Sequence, residues 1–264
     1  MTSLSLSHYI SSDRLQDLAI HQIVVITLLT IIFMGSRLYF AKRGLSLSKR
    51  NEYSIRVVHF TINSILGSYG LYFWLAIQGG KLPSNHQERV IGNQDINFFA
   101  ATQMGYQFWS IVTNQLSHDS PLMVAHHISA LICTITSTVF IEGFRCVNPL
   151  LFGGSELSTL VLIIINHVKS DDTLAGQMPH TYTMLRALFA FLFIWIRLLM
   201  FPPVLIQFVR DGWTVLHGLS YGFQWFVLGV TLLSSTLLLF LQFYWGFLII
   251  KGLGKMCLRK KEKI

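Results

Sequence analysis

Charge is what this sequence has least of. Only 12% of its 264 residues are Asp, Glu, Lys or Arg, against about 25% in a soluble domain. An ordinary water-soluble domain is therefore excluded. Cysteine is also sparse. Cys133, Cys146 and Cys257 form no CxxC pair, so neither a disulfide framework nor a cysteine-based metal site is expected. HExxH, GxSxG, GxGxxG and P-loop motifs are all missing, which removes the simplest assignments to zinc protease, serine hydrolase, dinucleotide-binding or nucleotide-hydrolysing enzymes. No internal repeat, soluble domain or low-complexity linker interrupts the chain.

What is abundant is apolar: 52% of the residues are hydrophobic and 13% aromatic. The apolar residues fall in runs long enough to cross a bilayer. Seven spans are expected, at about 19–40, 57–78, 96–116, 121–141, 147–168, 183–209 and 219–250. The third, with Gln103, Gln107, Ser110 and Thr113, is too polar to face lipid on all sides and should be shielded or line a cavity. Gly153-Gly154 in the fifth span predicts distortion or tight packing, and Pro202-Pro203 in the sixth a kink. The seventh is long for one crossing, so it should tilt or project. Residues 1–18 are polar and serine-rich and do not read as a cleaved signal peptide.

The net charge of +8 could suggest nucleic acid. The basic residues instead cluster at the ends of apolar runs, between Arg37 and Arg56 and from Lys251 to Lys263, where they set topology and meet anionic headgroups. No nucleic-acid partner is expected. Seven spans put both clusters in the cytosol, with the Gly79–Gln94 loop, Arg210 and Asp211 on the far side.

Titratable groups inside the runs are the candidates for chemistry. His126 and His127 open the fourth span, just after His118, Asp119 and Pro121. His59 and His167 fall at similar depth. Imidazole can serve as a general base for a lipid hydroxyl or amine. Adjacent helical residues point about 100° apart, so one of the pair should face a cavity while the other packs or hydrogen-bonds. Glu156 and Arg197 lie near the middle of their spans, where an isolated charge costs at least a few kcal/mol, so they should pair. That pair either fixes helix packing or holds a lipid headgroup. No metal site or cofactor is expected.

Five stretches carry a resemblance: RVVHFTINSILGSYGLY (Arg56–Tyr72), MGYQFWS (Met104–Ser110), DSPLMVAHHISAL (Asp119–Leu131), GGSELST (Gly153–Thr159) and FIWIRLLMFPP (Phe193–Pro203). Together and in this order they resemble the TLC homology domain. That membrane domain is shared by ceramide synthases, translocating-chain-associated membrane proteins and the ceroid-lipofuscinosis protein of the endoplasmic reticulum. The nearest likeness is to the small TLC domain proteins that are not full ceramide synthases. The resemblance implies an all-α polytopic bundle of about seven transmembrane helices. Six surround a central cavity and the first span lies outside. It implies three regions: 1–49 with the first helix and basic loop, 50–250 as the TLC domain, and 251–264 as a basic cytosolic tail. It marks His126 and His127 as candidate catalytic residues and His59 as a candidate substrate-binding residue; Ser110, Glu156 and Arg197, polar groups within the spans, join His59 as substrate-binding candidates.

Three functions follow from it. The first is a protein that binds or senses lipid and influences membrane lipid composition, with membrane lipids as partners. The second is a ceramide-synthase-like N-acyltransferase using acyl-CoA and a long-chain base. The third is a cargo or translocation accessory factor. The family and the KKEKI tail favour the endoplasmic reticulum or another endomembrane, with the plasma membrane as the alternative.

Overall fold

The computed structural model describes residues 12–91, 97–117, 120–140, 146–170, 172–218 and 222–261. His118, Asp119 and the last residues of the KKEKI tail lie outside the described residues. Among the described residues every regular element is helical.

Helix α1 spans Ser12–Lys42. Helix α2, Leu47–Tyr72, continues as a wider π-helical turn over Phe73–Ile77. It stops at Gly79 and Gly80, whose φ values of 66° and 72° an L side chain rarely adopts. Helix α3 is short, His86–Ile91, and α4 spans Asn97–Ser117. Helix α5, Pro121–Ile135, runs into a π turn at Thr136–Phe140. A further π turn, Pro149–Gly154, leads into α6, Glu156–Lys169. After the short α7, Asp172–Gln177, helix α8, Pro179–Leu192, passes through a π turn at Phe193–Met200 into α9, Phe201–Gly218. Helix α10 spans Phe223–Lys261.

Each junction has a local cause. Ser120 caps α5, its hydroxyl accepting from the Met123 amide at 3.3 Å, and Pro121 follows where its missing N–H costs nothing. This places His126 and His127 in the second turn of α5. Pro202 and Pro203 cannot donate to the carbonyls of Leu198 and Leu199, and a π turn over Phe193–Met200 immediately precedes them.

Packing closes six of these segments into a ring. Helix α2 lies against α4, α4 against α5, and α5 against α10; α10 packs on α9 and the 193–200 turn, α8 on α6, and α6 with its π turn back on α2. Helix α1 stays outside, against α2 and α4. It buries Val25, Leu29 and Phe33, spaced four apart along one stripe, and leaves Ile23, Leu28, Ile31 and Leu38 exposed. An apolar, lipid-facing surface of this kind, with polar side chains turned inward, is what a bilayer solvent selects.

Among the described residues six helices are long and apolar enough to cross a membrane: Leu15–Lys42, Leu47–Ile77, Pro121–Phe140, Pro149–Lys169, Pro179–Gly218 and Phe223–Gly254. Helix α4, the expected third span, is not among them. It has the length of a span, 21 residues, but its polar side chains lower its hydropathy. Gln103 and Gln107 are each only 1% exposed, so the bundle shields them. Two expected boundaries are corrected. Arg210 and Asp211 lie within α9 and not in a loop, because Asp211 is held there by polar partners. The basic stretch from Lys251 to Lys261 continues α10, which at 39 residues extends about 58 Å.

Polar clasps tie both ends of the ring. At one end Arg56 donates to Ser170 at 2.7 Å and pairs with Glu52, joining α2 to the end of α6. At the other, Arg89 grips Asp211 through Nε and Nη2 at 2.6 and 3.0 Å, and His86 lies 2.8 Å from the same carboxylate. The hydrogen bond to Asp211 raises the pKa of Arg89 still further. Gln78 donates to the Cys146 carbonyl at 2.8 Å, which brings the loop before Pro149 into the same clasp. Burial pushes the Cys146 thiol up to about 12, so almost no reactive thiolate exists near neutral pH. Maleimide should therefore leave Cys146 unmodified in folded protein at pH 7 and label it after denaturation, as peptide mass mapping would show.

Helix α2 and the Pro149–Gly154 turn bring their backbones close together. A Cβ on Gly153 would lie 2.7 Å from Gly70 Cα and 2.8 Å from Leu66 O. Backbone atoms cannot move aside, so Gly153→Ala should cost about 1–3 kcal/mol in thermal unfolding in detergent. Gly35→Ala, which meets nothing within 4 Å, should leave the transition unchanged.

Candidate functional site in the bundle interior

The interior of the ring is built around Arg197. This side chain is 6% exposed and comes from the π turn between α8 and α9. Its Nε donates to Ser158 Oγ at 2.9 Å and to the Ser155 carbonyl at 3.1 Å. Its Nη2 donates to the Ser155 carbonyl at 2.9 Å and to Thr159 Oγ1 at 2.8 Å, and Nη1 reaches Gln242 Oε1 at 3.2 Å. The Glu156 carboxylate lies 3.8 Å from Nη2, and Phe193 stacks 5.6 Å from the guanidinium carbon. The expected Glu156–Arg197 pair therefore exists. Neutral oxygens carry most of its hydrogen bonding, and the carboxylate supplies the countercharge.

A cavity of about 220 Å³ lies beside this anchor, and His126, Glu156, Arg197 and Trp245 line it together with Phe193 and Leu248. A second, smaller space of about 20 Å³ lies on the other side of His126 and Glu156, among Gln103, Gln107, Ser155 and Gln242. His126 and Glu156 border both and separate them. The smaller space is just large enough for a single water with polar partners. Two of its bordering atoms, His126 Nδ1 and Gln103 Oε1, are buried without a hydrogen-bond partner.

The two histidines divide as their helical splay requires. His126 faces the cavity, its ring 5.4 Å from Trp245. His127 is buried and hydrogen-bonds through Nδ1 to Gln107 Oε1 at 2.6 Å. The rings of the pair are 5.5 Å apart, and Tyr106 lies 6.2 Å beyond His127. His59 joins the same row from α2, its ring 5.6 Å from Tyr106. Of the six candidates, His126, Glu156 and Arg197 meet at the cavity, His127 stands directly behind it, and His59 is connected through Tyr106. Ser110 is buried on α4 and borders neither space. Gln242, Trp245 and Thr159 enter the site without having been expected. Gln242 carried a signal, being an amide inside the long apolar run of α10. Among the described residues no group of three His, Cys, Asp or Glu side chains is placed to hold a metal ion.

The sequence profile of the TLC domain matches residues 50–251. The chain belongs to the TLC domain family. The match takes in α2 through most of α10, which includes the whole ring and every residue of the site, and leaves α1 outside. No curated protein and no solved structure matches the chain. As a TLC domain protein it is a multi-pass membrane protein of a family linked to lipid metabolism.

The anchor makes a thermodynamic prediction. Arg197→Met removes the donors that satisfy the Ser155 carbonyl and leaves Glu156 without its countercharge, a loss of about 3–5 kcal/mol. Adding Glu156→Gln should recover at least about 0.5 kcal/mol of that loss, since the two charges are coupled. Denaturation of the single and double variants in detergent measures the coupling; strictly additive losses would mean that the charges do not interact.

Proposed function

We propose that this TLC domain protein binds or senses lipid in its interior cavity and thereby influences membrane lipid composition. The observation that carries this reading is the cavity of about 220 Å³ with apolar walls and, at its side, half-buried His126 with the buried Glu156–Arg197 pair. Its polar groups are mostly bonded to one another, so the surfaces left for a ligand are Phe189, Phe193, Leu162 and Leu248, which suit a hydrocarbon chain. We assign it to the endoplasmic reticulum or a related endomembrane, which a fluorescent fusion compared with organelle markers would test. Deleting the gene should change phospholipid or sphingolipid species in whole-cell lipidomics, and reintroducing Arg197→Met should fail to restore them. Unchanged lipid profiles after deletion would defeat the proposal.

One observation favours a second reading as an N-acyltransferase acting on acyl-CoA and a long-chain base. His126 lines the cavity, and an imidazole there can take a proton from an attacking amine. Purified protein given sphinganine and stearoyl-CoA would then form N-acyl product. His126→Ala should lower the rate about 100-fold or more, and His127→Ala, which touches only the wall, should lower it less. Absence of any histidine-dependent product decides against acyl transfer and leaves the lipid-binding reading intact.

A further inference from the structure

The cavity does not end at the ring wall. Four of its lining residues, Leu162, Phe189, Leu248 and Ile249, also line a neighbouring groove of about 270 Å³ that continues past Arg186, Gly252 and Leu253. The groove exists because α8 and α10 part company. Helix α10 packs on α9 and on the 193–200 turn, and α8 packs on α6, but α8 and α10 make no comparable contact. Helix α10 meets the 193–200 turn closely at Gly246, where a Cβ would lie 2.7 Å from Leu198 Cδ1. Beyond it Leu248 is 44% exposed although it lines the cavity. The ring is thus open sideways, toward lipid, at the end that carries Arg56 and Lys251.

Arg186 gives this mouth a charge. It is half-buried, rests 5.8 Å from the Tyr182 ring, and pairs with no carboxylate among the described residues. It stands eleven positions before Arg197 on one continuous helix, so the mouth lies roughly 15 Å from the anchor. Apart from Arg186, the residues that line the groove are apolar or glycine. A guanidinium at the rim of an apolar slot is complementary to an anionic headgroup carrying one hydrocarbon chain.

We propose that the cavity is loaded laterally from the bilayer between α8 and α10, and that its occupant is a single-chain lipid whose anionic headgroup rests on Arg186 while its chain runs inward past Phe189 and Leu248. Phe189 of α8 and Ile249 of α10 both border the slot, and one chain is taken to pass between them. This rests on the lipid-binding reading and adds to it the route and the class of ligand.

The test uses full-length protein in phosphatidylcholine nanodiscs and a diazirine derivative of stearic acid as the probe. In the wild type the probe should label residues around Phe193 and Trp245. Stearate and 1-stearoyl-lysophosphatidate should compete about tenfold better than neutral monostearoylglycerol. Arg186→Gln should abolish that tenfold preference without weakening monostearoylglycerol. Equal competition by the two acids means that a carboxylate suffices; competition by the lysophosphatidate alone means that phosphate is required. Either result supports the proposal. A Phe189→Cys/Ile249→Cys variant, joined across the slot by a bis-methanethiosulfonate cross-linker, should lose interior labelling more than tenfold and regain it on reduction. Leu253→Trp, which narrows the mouth without removing a core side chain, should slow labelling if the cysteine pair fails to fold. Undiminished labelling in the bridged and tryptophan variants would overturn the lateral route while leaving lipid binding in place. An unchanged anion preference in Arg186→Gln would overturn the headgroup assignment. No interior labelling in any form would overturn the lipid-binding reading itself.

Discussion

A guanidinium inside a bilayer cannot discharge by giving up its proton, and it cannot remain without hydrogen bonds. Arg197 therefore dictates what surrounds it. Three oxygens of the segment Ser155–Thr159, one amide oxygen of α10 and the Glu156 carboxylate converge on it from two neighbouring segments. The Ser155 carbonyl alone accepts from both Nε and Nη2. It sits immediately after the π turn Pro149–Gly154, where the regular helical ladder is already broken. Arg197 lies in a π turn of its own. Irregular backbone at membrane depth survives only where protein covers it, and here the two irregular turns face each other across the anchor. The close approach of Gly153 to Gly70 completes the constraint by pressing the first of these turns against α2.

The anchor also determines what the histidines can do. With Glu156 held toward Arg197, His126 and Glu156 become a partition between the larger cavity and the water-sized space. His126 borders both sides of that partition. His127 does not, being fixed to Gln107. A substitution at His127 acts on the wall through α4, whereas one at His126 acts on the contents of the cavity. The aromatic row through Tyr106 to His59 extends the wall to α2 and makes His59 a packing neighbour of the site without contact with the space itself.

How much of this the sequence disclosed depended on the physics involved. The bundle was legible because hydropathy acts over about twenty residues at a time. The Glu156–Arg197 pair was legible because two opposite charges in apolar runs have few alternatives. Irregular backbone at Gly153-Gly154 and next to Pro202-Pro203 was legible from local chemistry, though not its form as π turns. Adjacency told that His126 and His127 must diverge, but only their neighbours decide which faces the cavity. Gln242 and Trp245 were passed over because a residue of α10 meets Arg197 or His126 only after the ring has closed. The boundary at Arg210–Asp211 was misread because a carboxylate in a sequence looks like a loop signal. Its partner Arg89, far away in the chain, lets Asp211 stay inside α9 at 5% exposure. Ser110 was marked only as a polar group within a span, and it lies away from both spaces.

The gap between α8 and α10 follows from the same anchor. Arg197 binds α10 at Gln242, and Gly246 packs on Leu198 one turn later. These contacts hold α10 to the 193–200 turn at the depth of the site and nowhere nearer to α8. Helix α8 is committed to α6, and α5 holds α10 from the opposite side of the ring. Two helices fastened at one level, and drawn apart by different neighbours beyond it, must diverge. The widening slot is then lined by whatever the two helices carry there, which is Phe189 on one side and Leu248, Ile249 and Leu253 on the other. A bilayer fills such a slot with hydrocarbon at no cost, which is why an opening that would be a defect in a soluble bundle is stable in this one.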